Sequence, residues 1–187
     1  MDQLSLIALG SNMPSDAGAP EQTLRAALEA MRAGGLDIRA TSRFYRTPCF
    51  PPGAGPDYVN AAIAVAGGPG PRAMLERLHA IEAAFGRARQ HRWGMRTLDL
   101  DLIAVDDQVL PDLATYERWR ALDADAQRRT APEALILPHP RLQDRAFVLV
   151  PLAEVAGGWI HPVLGKSVAQ MRDALPMADL AAVVALE

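Results

Sequence analysis

Residues 97–102 read Thr-Leu-Asp-Leu-Asp-Leu. Strict alternation of this kind suits a half-buried β-strand and little else. Successive side chains of a strand point to opposite faces, so Leu98, Leu100 and Leu102 face a core while Thr97, Asp99 and Asp101 share the other side. The Cα atoms of the two acids then lie roughly 6–7 Å apart, at about 3.3 Å per residue. Carboxylates on a strand are costly to bury unless paired or bound to metal. The chain therefore needs a sheet with one face covered by apolar packing here and a charged environment over the other.

The remaining pattern supplies such a sheet. Leu4–Leu9 is an apolar run closed by Gly10-Ser11-Asn12, a first strand and turn. Glu21–Arg32 carries Leu24, Leu28 and Met31 at helical spacing, with Gly34-Gly35 as a stop. Leu36–Arg46 reads as a second strand, Thr47–Pro56 as a Pro/Gly loop, and Tyr58–Ala66 as a third strand. Pro71 opens a second helix whose buried face is Leu75, Leu78, Ile81 and Phe85, ended by Gly86. Leu98–Val105 is the fourth strand. The order β-α-β-β-α-β predicts an α/β (α+β) ferredoxin-like domain. We read residues 1–187 as one such domain with C-terminal helical additions and a variable insertion at about 106–135. Within the insertion Tyr116, Trp119 and Leu122 predict one short amphipathic helix serving stability or assembly. Ile136–Pro140 returns to the core, and Phe147–Val150 leads into a helical stretch ending at Gly157-Gly158. Ser167–Leu175 is a last helix with Ser167 as its N-cap.

Composition excludes several classes. Half of the 187 residues are hydrophobic, enough for one core, and the net charge of −3 argues against a general nucleic-acid footprint. A lone cysteine, Cys49, forbids an internal disulfide and fits a reducing compartment. No apolar run approaches the ~20 residues of a membrane span, and Met1-Asp2-Gln3-Leu4 lacks the basic start of a signal peptide. The expectation is a cytoplasmic protein, a monomer or weak dimer, with no nucleic-acid or membrane partner.

Asp99 and Asp101 allow two readings: a solvated strand face, or carboxylates that hold divalent metal. The neighbouring Arg87, Arg89, His91, Arg92 and Arg96 favour the second. Arginine forks match phosphate oxygens, and acids for metal beside arginines for anions suit chemistry on a polyphosphate. Those arginines could also simply pair with the acids or line a solvated loop. Tyr58 and Asn60 share a strand face and could stack on and hydrogen-bond a flat polar heterocycle, though ordinary strand packing explains them as well. Trp93 and Phe147 read first as core aromatics, and His139, between two prolines, as structural.

The run Arg92-Trp93-Gly94-x-Arg96-Thr97-Leu98-Asp99-Leu100-Asp101-Leu102-Ile103 resembles the 6-hydroxymethyl-7,8-dihydropterin pyrophosphokinase family of folate biosynthesis. Supporting stretches are Ala8-Leu9-Gly10-Ser11-Asn12, Ser42-x-Phe44-Tyr45-Arg46-Thr47-Pro48, Pro56-Asp57-Tyr58-x-Asn60-Ala61, Pro138-His139-Pro140-Arg141 and Arg145-x-Phe147-Val148-Leu149. The resemblance implies a Mg²⁺-dependent transfer of pyrophosphate from ATP to the pterin hydroxymethyl group, releasing AMP. It implies that Asp99 and Asp101 bind two Mg²⁺, and that Arg87, Arg92 and Arg96 serve the phosphates. Glu82, His139 and Arg145 match positions at or near the nucleotide. Thr47, Pro48, Phe50, Tyr58, Asn60, Trp93 and Phe147 match the pterin pocket, with Tyr58 and Phe147 on either side of the ring. The chain departs from the pattern at Met95, where many members have proline. Its basic loop is also a residue shorter than in some members, which leaves Arg87 and Arg89 undistinguished. Two rival readings stand beside this one: a phosphoryl or nucleotidyl transferase acting on another acceptor, and a non-catalytic ferredoxin-like regulatory or interaction module.

Overall fold

The computed structural model describes residues 3–49, 55–86, 96–123, 126 and 129–187. β1 (Leu4–Ser11) is central, flanked by β4 (Tyr58–Ala66) and β5 (Asp99–Val105), both antiparallel to it. β2 (Asp37–Thr41) and β3 (Tyr45–Thr47) both pair with β4, at different points along it. The helices α1 (Pro20–Ala33) and α2 (Pro71–Ala84) join the strands. With β2 and β3 counted as one interrupted strand, this is the ferredoxin-like arrangement that the order of elements predicts.

The interruption has a local cause. Between the Thr41↔Ile63 and Tyr45↔Asn60 pairs one side advances four residues and its partner three. The extra residue is absorbed at Ser42, whose backbone N–H donates to Ala62 O at 2.9 Å. The Ser42 hydroxyl accepts from Ala62 N at 2.9 Å and donates to Arg43 O at 2.7 Å. A hydroxyl thus takes over part of the ladder. The composition of Leu36–Arg46 does not reveal this break.

Two cores sandwich the sheet. Leu24, Leu28 and Met31 of α1 and Met74 and Leu78 of α2 pack on Ile7, Leu9, Ile63, Leu98, Leu100 and Leu102. The opposite face carries Leu6, Ala62, Ala64 and Ile103, covered by α4 (Ala146–Ala156) and α5 (Val168–Asp173) through Val148, Leu149, Leu152, Val168 and Met171. α4 lies chiefly across β4, where the small side chains of Ala62 and Ala64 allow a helix to approach closely. The expected Ser167 N-cap is present: its hydroxyl accepts from Gln170 N at 3.1 Å, and Gln170 Oε1 accepts from Ser167 N at 2.9 Å.

The insertion does form the predicted helix, α3 (Leu113–Ala121), capped by Asp112, which accepts from Thr115 N at 2.9 Å. Leu122 falls just past its end, and Tyr116 is the one fully buried member of the stripe. The C-terminal end adds elements that the local pattern does not predict. α6 (Met177–Ala181) is followed by β6 (Val184–Ala185), which pairs with Tyr45–Arg46 on the outer edge of β3. No helix among the described residues is long and apolar enough to cross a membrane.

Candidate active site

Asp99 and Asp101 stand on β5 as the alternation requires: both are partly exposed while Leu98, Leu100 and Leu102 go to the α1/α2 core. The face of the acids is therefore the one covered by α4. Directly opposite them on β1 are Gly10, paired with Asp99, and Ala8, paired with Asp101. Gly10 also pairs with Asn60 on β4, and Asn60 with Tyr45 on β3. One row across four strands thus runs Asp99, Gly10, Asn60, Tyr45.

Gly10 leaves a shallow cradle in this row. A Cβ there would lie 3.0 Å from Asn60 Oδ1 and 3.8 Å from Tyr58 Cδ1, so Tyr58 and Asn60 flank the glycine on the acid-bearing face. Asn60 is buried and donates from Nδ2 to Thr47 Oγ1 at 2.7 Å. That bond fixes which way the amide points. Pro48 follows on the exposed side of the chain. Tyr58 is raised above the usual phenol value by burial, opposed by Arg96 and reinforced by Asp99 and Cys49. The tyrosine, the arginine and the aspartate therefore share one electrostatic neighbourhood.

Arg96 forms an ion pair with Asp99. Burial lowers its pKa, but the charge and hydrogen bond of Asp99, with Asp101 behind, outweigh that and leave it raised. Asn12 anchors this corner. Its Oδ1 accepts from Arg96 N at 2.8 Å, its backbone N–H donates to Arg96 O at 3.1 Å, and its Nδ2 donates to Pro56 O at 3.3 Å. Gly10 and Asn12 were not singled out as site residues from the sequence. The signal is Gly10-Ser11-Asn12, which reads locally as a turn; the structure instead continues β1 through Ser11, because Gly10 and Ser11 pair with β4.

The loop after Pro138 and the start of α4 close the acid side. His139 N–H donates to Ile103 O at 2.7 Å, and His139 Nδ1 accepts from Arg141 N at 3.1 Å. This places the ring proton of the neutral imidazole on Nε2. Burial first, then Arg145, push its pKa down to about 3, with Asp99 opposing. Arg145 is lowered by burial and by Arg141, while Asp101 and Asp99 raise it. Its guanidinium carbon lies 5.7 Å from the centroid of the Phe147 ring. Phe147 is 39% exposed, which overturns its reading as a core aromatic. It opens the helix that crosses the strand of Tyr58 and Asn60.

Glu82 reaches the strand of the acids from its other face. It belongs to α2, is 1% exposed, and accepts from the backbone N–H of Leu100 at 2.8 Å. Phe50, Arg87, Arg89, His91, Arg92 and Trp93 lie outside the described residues. Among the described residues no group of three or more His, Cys, Asp and Glu could cage a metal. Asp99 and Asp101 form a two-carboxylate donor set, which fits Mg²⁺ completed by phosphate and water better than a closed protein cage.

A family model described as 7,8-dihydro-6-hydroxymethylpterin-pyrophosphokinase matches residues 6–157, which include every element of this site. The chain belongs to that family. Membership does not favour the non-catalytic module. The 2-amino-4-hydroxy-6-hydroxymethyldihydropteridine pyrophosphokinase of Synechocystis sp. is 36% identical over 168 residues, covering 89% of this chain and 73% of that protein. The enzyme of the same name from Pseudomonas aeruginosa is 36% identical over 157 residues, covering 83% of this chain and 82% of its own. That from Haemophilus influenzae is 34% identical over 157 residues, covering 83% of each. The crystal structure of Plasmodium falciparum HPPK-DHPS superposes with a TM-score of 0.65 at 15% identity, over 92% of this chain and 44% of that one. At this identity the likeness bears on the fold. This chain spans less than half of that structure.

Proposed function

We propose that this family member transfers the pyrophosphoryl group of ATP to the hydroxymethyl oxygen of 6-hydroxymethyl-7,8-dihydropterin, releasing AMP, and that it does so with Mg²⁺ at Asp99 and Asp101. The observation that carries the reading is the single row of Asp99, Gly10 and Asn60, with Tyr58 beside it. It joins an acid pair suited to metal with an amide and an aromatic suited to a flat heterocycle.

The division of labour follows from the side chains. Asp99 and Asp101 would hold two Mg²⁺, which when bound neutralise the phosphates and align them for in-line attack. Tyr58 and Phe147 offer aromatic faces, and Asn60, oriented by Thr47, offers hydrogen bonds to ring polar groups. Arg145 and Arg96 bring positive charge to the acid side, where the triphosphate would lie; Arg87 and Arg92 match further phosphate positions. His139 enters as a neutral donor. Its Nδ1 is taken by a backbone N–H and its pKa is far below neutrality, so Nε2–H is available to a phosphate oxygen and the ring is a poor base. In the reaction the pterin oxygen bonds to the β-phosphorus and the bond from that phosphorus to the α–β bridging oxygen breaks. AMP leaves with that oxygen, and the hydroxyl proton passes to solvent. Rate then comes from positioning and electrostatics rather than from a strong protein base.

The test is direct. Incubation with ATP, Mg²⁺ and the pterin should give AMP and the pterin diphosphate in equal amounts, and neither product without Mg²⁺. Release of ADP, or AMP formed without the pterin, would refute the reading.

A further inference from the structure

β5 is the outermost strand of the sheet path, so among the described residues one of its edges is paired within the sheet. Along such a strand, backbone groups alternate between the partner and the open edge. Asp99 and Asp101 stand opposite Gly10 and Ala8 of β1, and Leu100 opposite Leu9. The Leu100 N–H, between the two acids, is directed away from β1 and donated to Glu82 Oε1 at 2.8 Å. Glu82 is buried on α2, which packs on the face away from the acids. Its carboxylate therefore meets the edge of β5 from behind. The register of β5 on β1 also shifts by one residue between Leu6 and Ile7, so the ladder alone does not hold the strand uniformly.

We propose that Glu82 is a positioning residue for the acid pair: it clamps the backbone between Asp99 and Asp101 and so sets the spacing of the two carboxylates. The inference rests on the proposed assignment of those acids to metal. It gives Glu82 a different task from the nucleotide contact implied by resemblance. A buried backbone N–H left without an acceptor is costly, so the bond to Glu82 Oε1 holds the strand where it is. A clamp at the residue between two donors restrains both of them. Mg²⁺ tolerates little departure from its preferred ligand geometry, so a loosened strand costs metal affinity.

Two substitutions separate the possibilities. Glu82→Gln keeps an acceptor for the Leu100 N–H, and Glu82→Leu removes it. Hydrogen exchange of the Leu100 amide, followed by NMR without metal, reads the clamp itself. Mn²⁺ titration by electron paramagnetic resonance, with a non-hydrolysable ATP analogue present, reads the acid pair. Glu82→Leu should speed Leu100 exchange and weaken Mn²⁺ binding roughly tenfold or more, while Glu82→Gln stays within about threefold of wild type. Equal Mn²⁺ affinity in wild type and Glu82→Leu overturns the clamp. So does a Glu82→Gln protein that loses Leu100 protection and Mn²⁺ affinity, and this variant decides the matter if Glu82→Leu does not fold. Wild-type protein that binds no Mn²⁺ overturns the metal assignment and the clamp with it, an outcome distinct from wild type binding normally while the variants match it.

Discussion

Tyr116→Phe removes one oxygen atom from the interior. Tyr116 and His161 are both fully buried, and their side chains meet at 2.9 Å between Oη and Nε2. His161 Nδ1 already accepts from Val163 N at 3.1 Å and Leu164 N at 3.2 Å. The ring proton is therefore on Nε2, and the tyrosine oxygen is its acceptor. A phenylalanine keeps the ring packing, with centroids 5.8 Å apart in the parent, but leaves the Nε2–H buried without that acceptor. An unmet buried donor costs about 1–3 kcal/mol, and each kcal/mol lowers the melting temperature of a chain this size by about 2–4 °C. Urea unfolding at pH 8 should show that loss, with turnover at low temperature unchanged, because the bonds of this pair lie outside the site. The pair also makes a pH prediction. Burial lowers His161 from 6.5 to about 4. As pH falls, the unfolded chain takes up the proton first, so the stabilisation is full above pH 6.5 and is lost toward about 4. That interval corresponds to about 3 kcal/mol at about 1.4 kcal/mol for each tenfold in proton affinity. Unchanged stability in Tyr116→Phe at pH 8, or lost turnover with unchanged stability, would refute the assignment of α3 to structure.

Three further outcomes are expected. Asp101→Asn should lower turnover roughly a hundredfold or more, with the loss largest at limiting Mg²⁺. Its melting temperature should move by no more than about 2–4 °C, because the core face of β5 is untouched; calorimetry beside a Mg²⁺ titration checks both. Phe147→Ala should weaken pterin binding by roughly fivefold, the equivalent of about 1 kcal/mol of stacking. ATP-analogue binding should change little by isothermal titration, since the ring is 39% exposed and carries little of the core. Gly10→Ala places a Cβ 3.0 Å from Asn60 Oδ1. It should raise the KM for the pterin more than that for ATP by displacing Asn60, and equal changes in both would argue against the cradle.

Local pattern determined a good deal. The alternation from Leu98 to Leu102 alone put Asp99 and Asp101 on one face, since strand geometry leaves no other choice. The faces of α1 and α2 and the capping box at Ser167 and Gln170 were likewise written in short-range spacing. Tertiary structure decided everything that depends on register between distant segments. The sequence does not say that Gly10 falls between Asn60 and Asp99, because that requires two strand pairings across 50 and 89 positions to agree. Nor does it show that Asn12 reaches Arg96 and Pro56, or that Glu82 of α2 finds the Leu100 N–H. The breaks at Ser42 and the return of Val184–Ala185 to the edge of β3 have the same origin. A residue's alternation or helical face is a property of its own backbone. Its partner across a sheet is settled only when whole strands slide to the register that buries both cores at once, and the candidate site is built from those cross-strand neighbours.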